Sequence, residues 1–218
     1  MKLFAFGDTH GVTDFSYLVA RAQEADVLLC VGDVTEFGRD VPAVVEALAS
    51  LARSADKPLV ITHGNHEGRL LRAALRVHAP QIVYLHNSTH DLGDALFFGF
   101  GGGGFRTRDG EVEAFLRSAH SDHSAHQGLV VWVFHGPPRG CVVDEVPGIG
   151  STGCFSKRAL MDELVPHVVF CGHIHEQFGV VKQVGDTVVV NPGPQGVLVD
   201  VAYSNTNSMS TSSSGDSK

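Results

Sequence analysis

The sequence has little of what marks several large classes of protein. Basic residues number 16 against 24 acidic ones among 218 residues, which gives a net charge of −8. Binding to nucleic acid or to an acidic membrane requires a basic face, so a polyanion is an unfavourable partner. No apolar run approaches the roughly 18 residues of a membrane span, and residues 3–6 are too short for a signal-peptide core. We therefore expect a cytoplasmic protein with no membrane segment.

Cysteine is also scarce, and its placement excludes thiolate chemistry. Cys30, Cys141, Cys154 and Cys171 form no CxxC pair. The first and last lie inside apolar runs, where a thiol usually acts as a small buried hydrophobe. Neither a disulfide framework nor a zinc–thiolate site is expected.

The composition predicts one domain followed by a polar tail. Residues 204–218 contain 11 Ser, Thr or Asn and a single apolar residue, Met209. Such a segment cannot bury enough surface to offset its ordering entropy, so we predict disorder there. Residues 1–203 form the predicted globular domain, without repeats or a proline-rich linker.

Apolar runs alternate with amphipathic stretches in residues 1–203, which is typical of an α/β fold. The predicted strands are 2–6, 27–31, 58–62, 82–84, 95–100, 129–134, 167–171, 178–184, 187–190 and 196–201. The predicted helices are 15–23, 41–53, 68–77, 111–120 and 157–164. We expect Asp40 and Ser156 to cap the second and fifth helices. The C-terminal strands are expected to be antiparallel, with a hairpin turn at Gly185 and Asp186.

Six of these strands end in a polar cluster, and the clusters read GDTHG, GDV, HGNHE, HGPP, GHIHE and NPG. In open α/β sheets the ligand crevice lies at the carboxyl ends of the strands, so these clusters are expected to converge. The candidate donors are Asp8, His10, Asp33, Asn65, His66, His135, His173 and His175. Oxygen and imidazole donors without thiolate suit Mn, Fe, Zn or Ni.

The number of donors predicts two metal ions rather than one. Seven likely donors among these eight residues exceed the four of a single zinc site, so one ligand is expected to be shared, and Asp33 is the candidate bridge. Asp8 and His10, like His173 and His175, are two residues apart and can face the same side of an extended chain. Two dications, two carboxylates and a hydroxide sum to about +1, which attracts a phosphate ester.

These motifs, in this order, strongly resemble the calcineurin-like metallophosphoesterase superfamily from Asp8 to about Gly193. The resemblance implies a four-layer α/β/β/α sandwich of two mixed β-sheets flanked by helices. It places one metal on Asp8, His10, Asp33 and His175, and the other on Asp33, Asn65, His135 and His173. It also implies that a metal-bridging hydroxide attacks phosphorus while His66 protonates the leaving oxygen.

Two details of the motifs indicate which group of the superfamily the chain resembles most. HGPP followed by Gly140 and Asp144 looks like the small metallophosphodiesterase-domain proteins and their prokaryotic relatives, and His173 is intact here. Protein Ser/Thr phosphatases carry Asp-Arg-Gly after the second motif, whereas this chain has Glu36 and Phe37. The resemblance therefore favours hydrolysis of small or cyclic nucleotide-type diesters with two divalent ions, Mn first, then Fe, Zn or Ni. The alternatives are a phosphomonoesterase on small metabolites and a non-catalytic scaffold.

Other residues near the motifs allow more than one interpretation. The glycines 101–104 precede no Gly-Lys-Ser/Thr, so a close backbone approach beside the metal pocket is favoured over nucleotide binding. His63 either orients a neighbour by hydrogen bonding or simply packs. Asn191 is either a turn residue or, by the family pattern, close to the pocket.

Two further groups of polar residues lie outside the motifs. One comprises His120, His123 and His126, for which a solvated loop is favoured over a second metal site. The other comprises Arg106, Arg108 and Arg139, for which solvent exposure is favoured over contact with a phosphate.

Overall fold

The structure is a computed structural model, and it describes residues 1–201. The predicted tail, 204–218, lies outside the described residues. The strands are β1 (Lys2–Phe6), β2 (Val27–Cys30), β3 (Leu59–Ile61), β4 (Val83–Tyr84), β5 (Ser88–Asp91), β6 (Ala95–Phe100), β7 (Leu129–Phe134), β8 (Glu145–Val146), β9 (Gly150–Ser151), β10 (Val168–Phe170), β11 (Val180–Val184), β12 (Thr187–Asn191) and β13 (Val197–Asp200). The α-helices are α1 (Val19–Gln23), α2 (Val41–Ala55), α3 (Arg69–His78), α4 (Gly110–Asp122) and α5 (Phe155–Leu164).

The strands form two large mixed sheets and a small hairpin. The first sheet has the order β13-β1-β2-β3-β4 and the second β11-β12-β10-β7-β6-β5, while β8 pairs with β9. Inner strands are parallel, and the antiparallel pairs are β13 with β1, β11 with β12, and β5 with β6. The predicted turn at Gly185 and Asp186 joins β11 to β12. The expectation of an antiparallel C-terminal region is wrong for β12, which also pairs parallel with β10.

Successive side chains of the buried strands point to opposite faces of each sheet, and they form three apolar layers. In β1, Phe4 and Phe6 pack with α1, α2 and α3, whereas Leu3 and Ala5 join the layer between the two sheets. The outer face of the second sheet packs against α4 and α5 through residues such as Trp132. Helices thus cover the outer face of each sheet, because successive side chains of a strand point to opposite faces. The predicted four-layer α/β/β/α sandwich is confirmed.

Local signals predicted the ten principal strands and five helices but not every detail. The short strands β5, β8 and β9 were missed, and β5, for instance, has the polar sequence Ser-Thr-His-Asp. Asp40 lies at the start of α2 in a left-handed conformation, and its side chain makes no capping hydrogen bond. Ser156 does not cap α5, since Cys154 holds that position and the Ser156 hydroxyl accepts the amide N–H of Asp109 instead. The predicted cap at Ser156 is therefore wrong, whereas Asp40 holds the predicted N-cap position without making the capping hydrogen bond.

No helix within residues 1–201 is both long enough and apolar enough to cross a membrane.

Candidate metal centre

The eight predicted site residues are brought together at the carboxyl ends of strands from both sheets. The loop after β1 carries Asp8 and His10, and the loop after β2 carries Asp33. The remaining five follow β3, β7 and β10: Asn65, His66, His135, His173 and His175. Residues far apart in sequence therefore meet at one point of the fold.

One group of donors is formed by Asp8, His10 and His175. One ligand atom from each lies within 4.8 Å of the other two. His10 Nε2 is 3.2 Å from His175 Nε2, and His175 Nε2 is 3.8 Å from Asp8 Oδ1. Imidazole nitrogens that face each other this closely, beside a carboxylate, can share one cation.

A second group is formed by Asp33, His135 and His173, again with ligand atoms within 4.8 Å. His135 Nε2 lies 3.2 Å from Asp33 Oδ2 and 3.0 Å from Asn65 Oδ1. A third group, His10, Asp33 and His66, overlaps the other two. Asp33 thus belongs to two of the three groups and lies between the donors of both predicted metals.

The hydrogen bonds around the donors fit metal binding. His135 Nδ1 is 3.0 Å from the carbonyl oxygen of Val31, a contact that orients the ring so that Nε2 faces Asp33 and Asn65. Within residues 1–201, His173 Nε2 is buried without a hydrogen-bond partner. A buried imidazole nitrogen without a partner is costly unless a ligand occupies it. The residues present therefore fit divalent metal ions.

The pKa shifts of Asp33, His173 and His10 favour cation binding, whereas burial raises the pKa of Asp8 and the Asp33 carboxylate raises that of His135 against the effect of burial. Burial opposes ionisation of Asp33, but hydrogen bonds and charge from His135 and His66 outweigh it and lower its pKa to about 2. Burial lowers the pKa of His173 to about 4, and His135 acts in the same direction. Burial also lowers the pKa of His10. An ionised carboxylate and neutral imidazoles are the forms that bind metals.

Four of the donors adopt an unusual backbone conformation. Asp8, His10, Asp33 and His173 have φ values of 52°, 47°, 50° and 72°. This left-handed region costs a residue with a Cβ atom about 1–2 kcal/mol, so the surrounding fold must hold it. Strained backbone concentrated at the donors supports a functional site here.

Glycines next to the donors permit close approach of the loops. A Cβ atom on Gly64 would lie 1.9 Å from Asp33 Oδ1, and one on Gly172 would lie 2.2 Å from Asp8 Oδ2. Both distances are far below van der Waals contact, so only glycine fits while the carboxylates keep these positions. The glycine that precedes each donor in the GN and GH motifs therefore has a steric role.

Glu67 is a functional residue that the sequence analysis missed. Its buried carboxylate accepts the backbone N–H groups of Asp33 at 3.2 Å, Thr35 at 2.8 Å and Gly64 at 2.9 Å. One side chain thus ties the loop after β2 to the loop after β3. The Glu of HGNHE was the available signal, but its orientation away from the pocket cannot be read from sequence.

Asn191 has a comparable role for the loop after β10. It is fully buried at the end of β12, and its Nδ2 donates to the carbonyl oxygen of Ile174 at 2.8 Å. Ile174 separates His173 from His175. Of the two interpretations of Asn191, the structure supports proximity to the pocket and excludes a simple exposed turn.

The donors open into a pocket of about 520 Å³. It is lined by His10, Asp33, Glu36, Phe37, Asn65, His66, Phe105, His173 and His175. Within the described part of the chain, no lysine or arginine is among these lining residues. The acidic Glu36 carboxylate lies 3.5 Å from His10 Nδ1.

The glycine-rich segment 101–104 lies against the site, as predicted. A Cβ atom on Gly104 would contact Asn65 Oδ1 and His173 Cε1, both at 3.6 Å. The preceding Gly102 donates its N–H to the carbonyl oxygen of His63. His63 Nδ1 in turn hydrogen-bonds the Tyr84 hydroxyl at 2.7 Å, so His63 orients neighbours beside the pocket.

The other candidate residues have partners elsewhere. Arg106 pairs with Asp109, while Arg108 and Arg139 lie over the Phe155 ring. The three histidines bond the following partners: His120 to Trp132 Nε1, His123 to the Thr89 hydroxyl and His126 to the Leu129 carbonyl. The expected solvated loop is therefore wrong for His120, which ends up half-buried against the core because α4 continues to Asp122.

Known proteins share this fold. An uncharacterized protein of Methanocaldococcus jannaschii is 26% identical over 211 residues, and the match covers 91% of each chain. The crystal structure of a Thermus thermophilus protein matches with a TM-score of 0.64 and 20% identity over 89% of both chains. Phosphopantetheinyl hydrolase from Mycobacterium tuberculosis matches with a TM-score of 0.55 and 12% identity over 88% of both chains.

The family is established by a match over almost the whole sequence. The model of the calcineurin-like phosphoesterase superfamily domain matches residues 1–203. This match agrees with the order of motifs, with the layered fold and with the convergence of the donors at one pocket. The chain therefore belongs to the calcineurin-like phosphoesterase superfamily.

Proposed function

We propose that the protein is a metal-dependent phosphodiesterase that uses two divalent ions, Mn first among the candidates, to hydrolyse small or nucleotide-type diesters. The ligands of one ion would be Asp8, His10, Asp33 and His175. Those of the other would be Asp33, Asn65, His135 and His173. Support comes from the two groups of ligand atoms within 4.8 Å and from the position of Asp33 between them.

Residues of the chain itself would position His66, which would donate a proton to the leaving oxygen. Bound divalent ions would act as Lewis acids toward a water molecule and the phosphoryl oxygens. His66 lines the pocket, and its backbone N–H donates to Asp33 Oδ1 at 2.9 Å. Its ring packs against that of His10, with the centroids 4.8 Å apart. This position suits His66 to protonate the leaving oxygen.

The absence of a basic side chain from the described pocket lining carries the preference for diesters. A phosphomonoester is largely a dianion at neutral pH, whereas a diester bears one negative charge. The Glu36 carboxylate at the pocket adds repulsion, and no lysine or arginine of residues 1–201 lines the pocket to offset it. A second negative charge on the substrate therefore has no basic side chain of the described lining to pair with.

Hydrolysis of two matched esters tests the proposal. Metal-stripped protein is reconstituted separately with Mn, Ni, Zn and Mg, and assayed on bis-p-nitrophenyl phosphate and p-nitrophenyl phosphate. We expect metal-dependent cleavage of the diester with a higher kcat/KM than of the monoester. Faster monoester cleavage would identify a phosphomonoesterase, and no cleavage by protein containing two ions per chain would indicate a scaffold.

The role of Asp33 as the ligand shared by both ions is tested separately. Asp33→Asn removes a bridging negative charge, so we expect fewer than two ions per chain by elemental analysis after reconstitution. Glu36→Gln, which neutralises a pocket carboxylate outside both ligand sets, should keep two. Two ions per chain in Asp33→Asn would contradict the bridge.

A further inference from the structure

Two exposed phenylalanines stand beside the donors in the same pocket. Phe37 is 72% exposed and Phe105 is 64% exposed. Leaving such a side chain in water forgoes the free energy that its burial would contribute. A single exposed apolar residue needs no explanation, but two aromatic rings on one functional pocket indicate a surface that a ligand covers.

Each ring is held against a site histidine. The Phe37 ring stacks on the His66 imidazole, with centroids 3.9 Å apart and an interplanar angle of 18°. The Phe105 ring packs edge-on against His173, with centroids 4.4 Å apart and an angle of 64°. The rings therefore have defined orientations although most of their surface is open to solvent.

The local backbone presents these rings outward. Phe37 has φ = 49°, a left-handed conformation that is unfavourable for a bulky residue. Phe105 follows the glycine segment 101–104, whose last member lies against Asn65 and His173. The fold thus maintains an unfavourable conformation in order to hold an exposed ring beside the donors.

We propose that Phe37 and Phe105 bind a flat aromatic substituent of the phosphate ester, either an aryl group or a nucleobase. The inference rests on the proposed function, because it assigns the part of the substrate that lies outside the metal centre. With Glu36 as the charged group at the pocket edge and no basic residue in the described lining, aromatic contact is the attraction available to this part of the substrate. Stacking is sequence-tolerant, so either kind of ring satisfies it.

Binding of non-hydrolysable probes tests this assignment independently of turnover. Calorimetry on Mn-reconstituted protein compares phenylphosphonate with methylphosphonate, which differ by the ring and contain no cleavable ester. We expect phenylphosphonate to bind about tenfold more tightly, as one stacking contact contributes about 1–3 kcal/mol. A second pair, the phosphonate analogues of adenosine 5′-monophosphate and ribose 5-phosphate, distinguishes nucleobase from simple aryl recognition.

Variants assign the preference to the two rings. Phe37→Leu and Phe105→Leu keep an apolar side chain. Each is expected to reduce the ratio of the methylphosphonate dissociation constant to the phenylphosphonate one. Phe155→Leu is the matched control, because Phe155 is 44% exposed but lies outside the pocket. Melting temperatures of all variants verify folding.

The outcomes separate the two proposals. Equal affinities for the two phosphonates, no binding of either, or a preference that persists in the Phe37→Leu/Phe105→Leu double variant would overturn the aromatic site. A ring-dependent affinity without hydrolysis of bis-p-nitrophenyl phosphate would support the aromatic site and overturn the proposed reaction. Hydrolysis without a ring preference would do the reverse.

Discussion

Individual residues determine whether the donors can reach each other. Gly172 precedes His173 and allows the loop after β10 to pack on the Asp8 carboxylate, which accepts the His173 N–H at 3.1 Å. The loop therefore binds Asp8 through its backbone while its histidines face the pocket.

We predict that Gly172→Ala loses at least one metal ion per chain, because the added methyl group would displace Asp8 Oδ2. Elemental analysis after reconstitution measures the effect. Gly110→Ala is the control, since a Cβ at Gly110 meets no atom within 4 Å. Two ions per chain in Gly172→Ala would show that the loop yields without disturbing Asp8.

A second prediction concerns the replacement of His66. His66→Ala should retain the metals but lose about 10²- to 10⁴-fold in kcat on an alkyl ester, the range typical of general acid catalysis. The loss should be smaller on a nitrophenyl ester, whose leaving group needs no proton. Equal losses on both esters, or a lower metal content, would instead assign His66 to metal binding.

The convergence of the candidate donors was predictable from sequence, but the residues that support them were not. Asp8, Asp33 and His135 stand out because a polar residue after an apolar strand is a chemical signal. Glu67 stands in the same kind of polar cluster after a strand, but its role depends on the direction in which its carboxylate points, which the sequence does not give. The left-handed conformations of the donors depend in the same way on the packed loops.

At the scale of elements, neighbouring strands hold the loops of the site. Asn191 at the end of β12 fixes the loop after β10 through the Ile174 carbonyl. We predict that Asn191→Ala weakens metal affinity by about 10- to 100-fold, as is typical when a residue that orients ligands is lost. Titration of the stripped protein with Mn measures it.

Thr187→Ala is the matched control for Asn191→Ala. Thr187 lies on the same strand and donates its buried hydroxyl to the Pro166 carbonyl at 2.7 Å, away from the ligand loop. An equal loss of Mn affinity in both variants would mean that the Asn191 substitution weakens metal binding only by destabilising the protein.

The long connection between β7 and α5 is organised by Asp144. Its buried carboxylate accepts the N–H groups of Gly140, Cys141 and Gly153 at 2.9–3.0 Å and the hydroxyl of Ser151. Burial alone would raise the pKa of Asp144, but these hydrogen bonds outweigh it and lower the pKa below the ordinary 3.8. The ionised form is therefore favoured by folding.

A pH dependence follows from this shift. The contribution of Asp144 is fully present above pH 3.8, the ordinary value, and is lost as the pH falls through the lower pKa of the folded state. We predict that Asp144→Asn lowers the free energy of unfolding by about 2–3 kcal/mol at neutral pH and by less in acid. Urea unfolding at several pH values measures this, with the exposed Asp186→Asn as control. A pH-independent difference would contradict the assignment.

Secondary structure was predictable where the apolar pattern is strong. The buried runs that became β6 and β7 match their predicted bounds, because continuous apolar runs are typical of covered strands. Sequence predictions failed where tertiary contacts determine the local structure. The hydroxyl of Ser156, for example, accepts the N–H of Asp109 at the start of α4 instead of capping its own helix. Pairing of polar β5 with β6 likewise depends on contacts distant from local sequence.

For the whole molecule, the two sheets and their helices form a domain that β13 completes. Residues of β13 pair with β1 from Lys2 opposite Asp200 to Ala5 opposite Val197. The domain end at residue 203 remains a prediction. We expect a chain that ends at Tyr203 to keep its melting temperature and two ions.

A chain that ends at Gly196 is the control, because it lacks β13 and should melt at a lower temperature. Differential scanning calorimetry compares the three lengths. A lower melting temperature for the chain ending at Tyr203 would extend the domain into residues 204–218.

The pairing of β1 with β13 also has a consequence for biosynthesis. The Met1 amino group donates to the Val201 carbonyl at 3.0 Å, and the donors run from Asp8 to His175. A ribosome releases the N-terminal donors long before it has made the C-terminal ones. By residue 66 a nascent chain has three of the four proposed ligands of one ion but only two of the four of the other, and both proposed sets are complete only once His175 has been made. We accordingly expect the proposed metal ions to bind late in the synthesis of each new molecule.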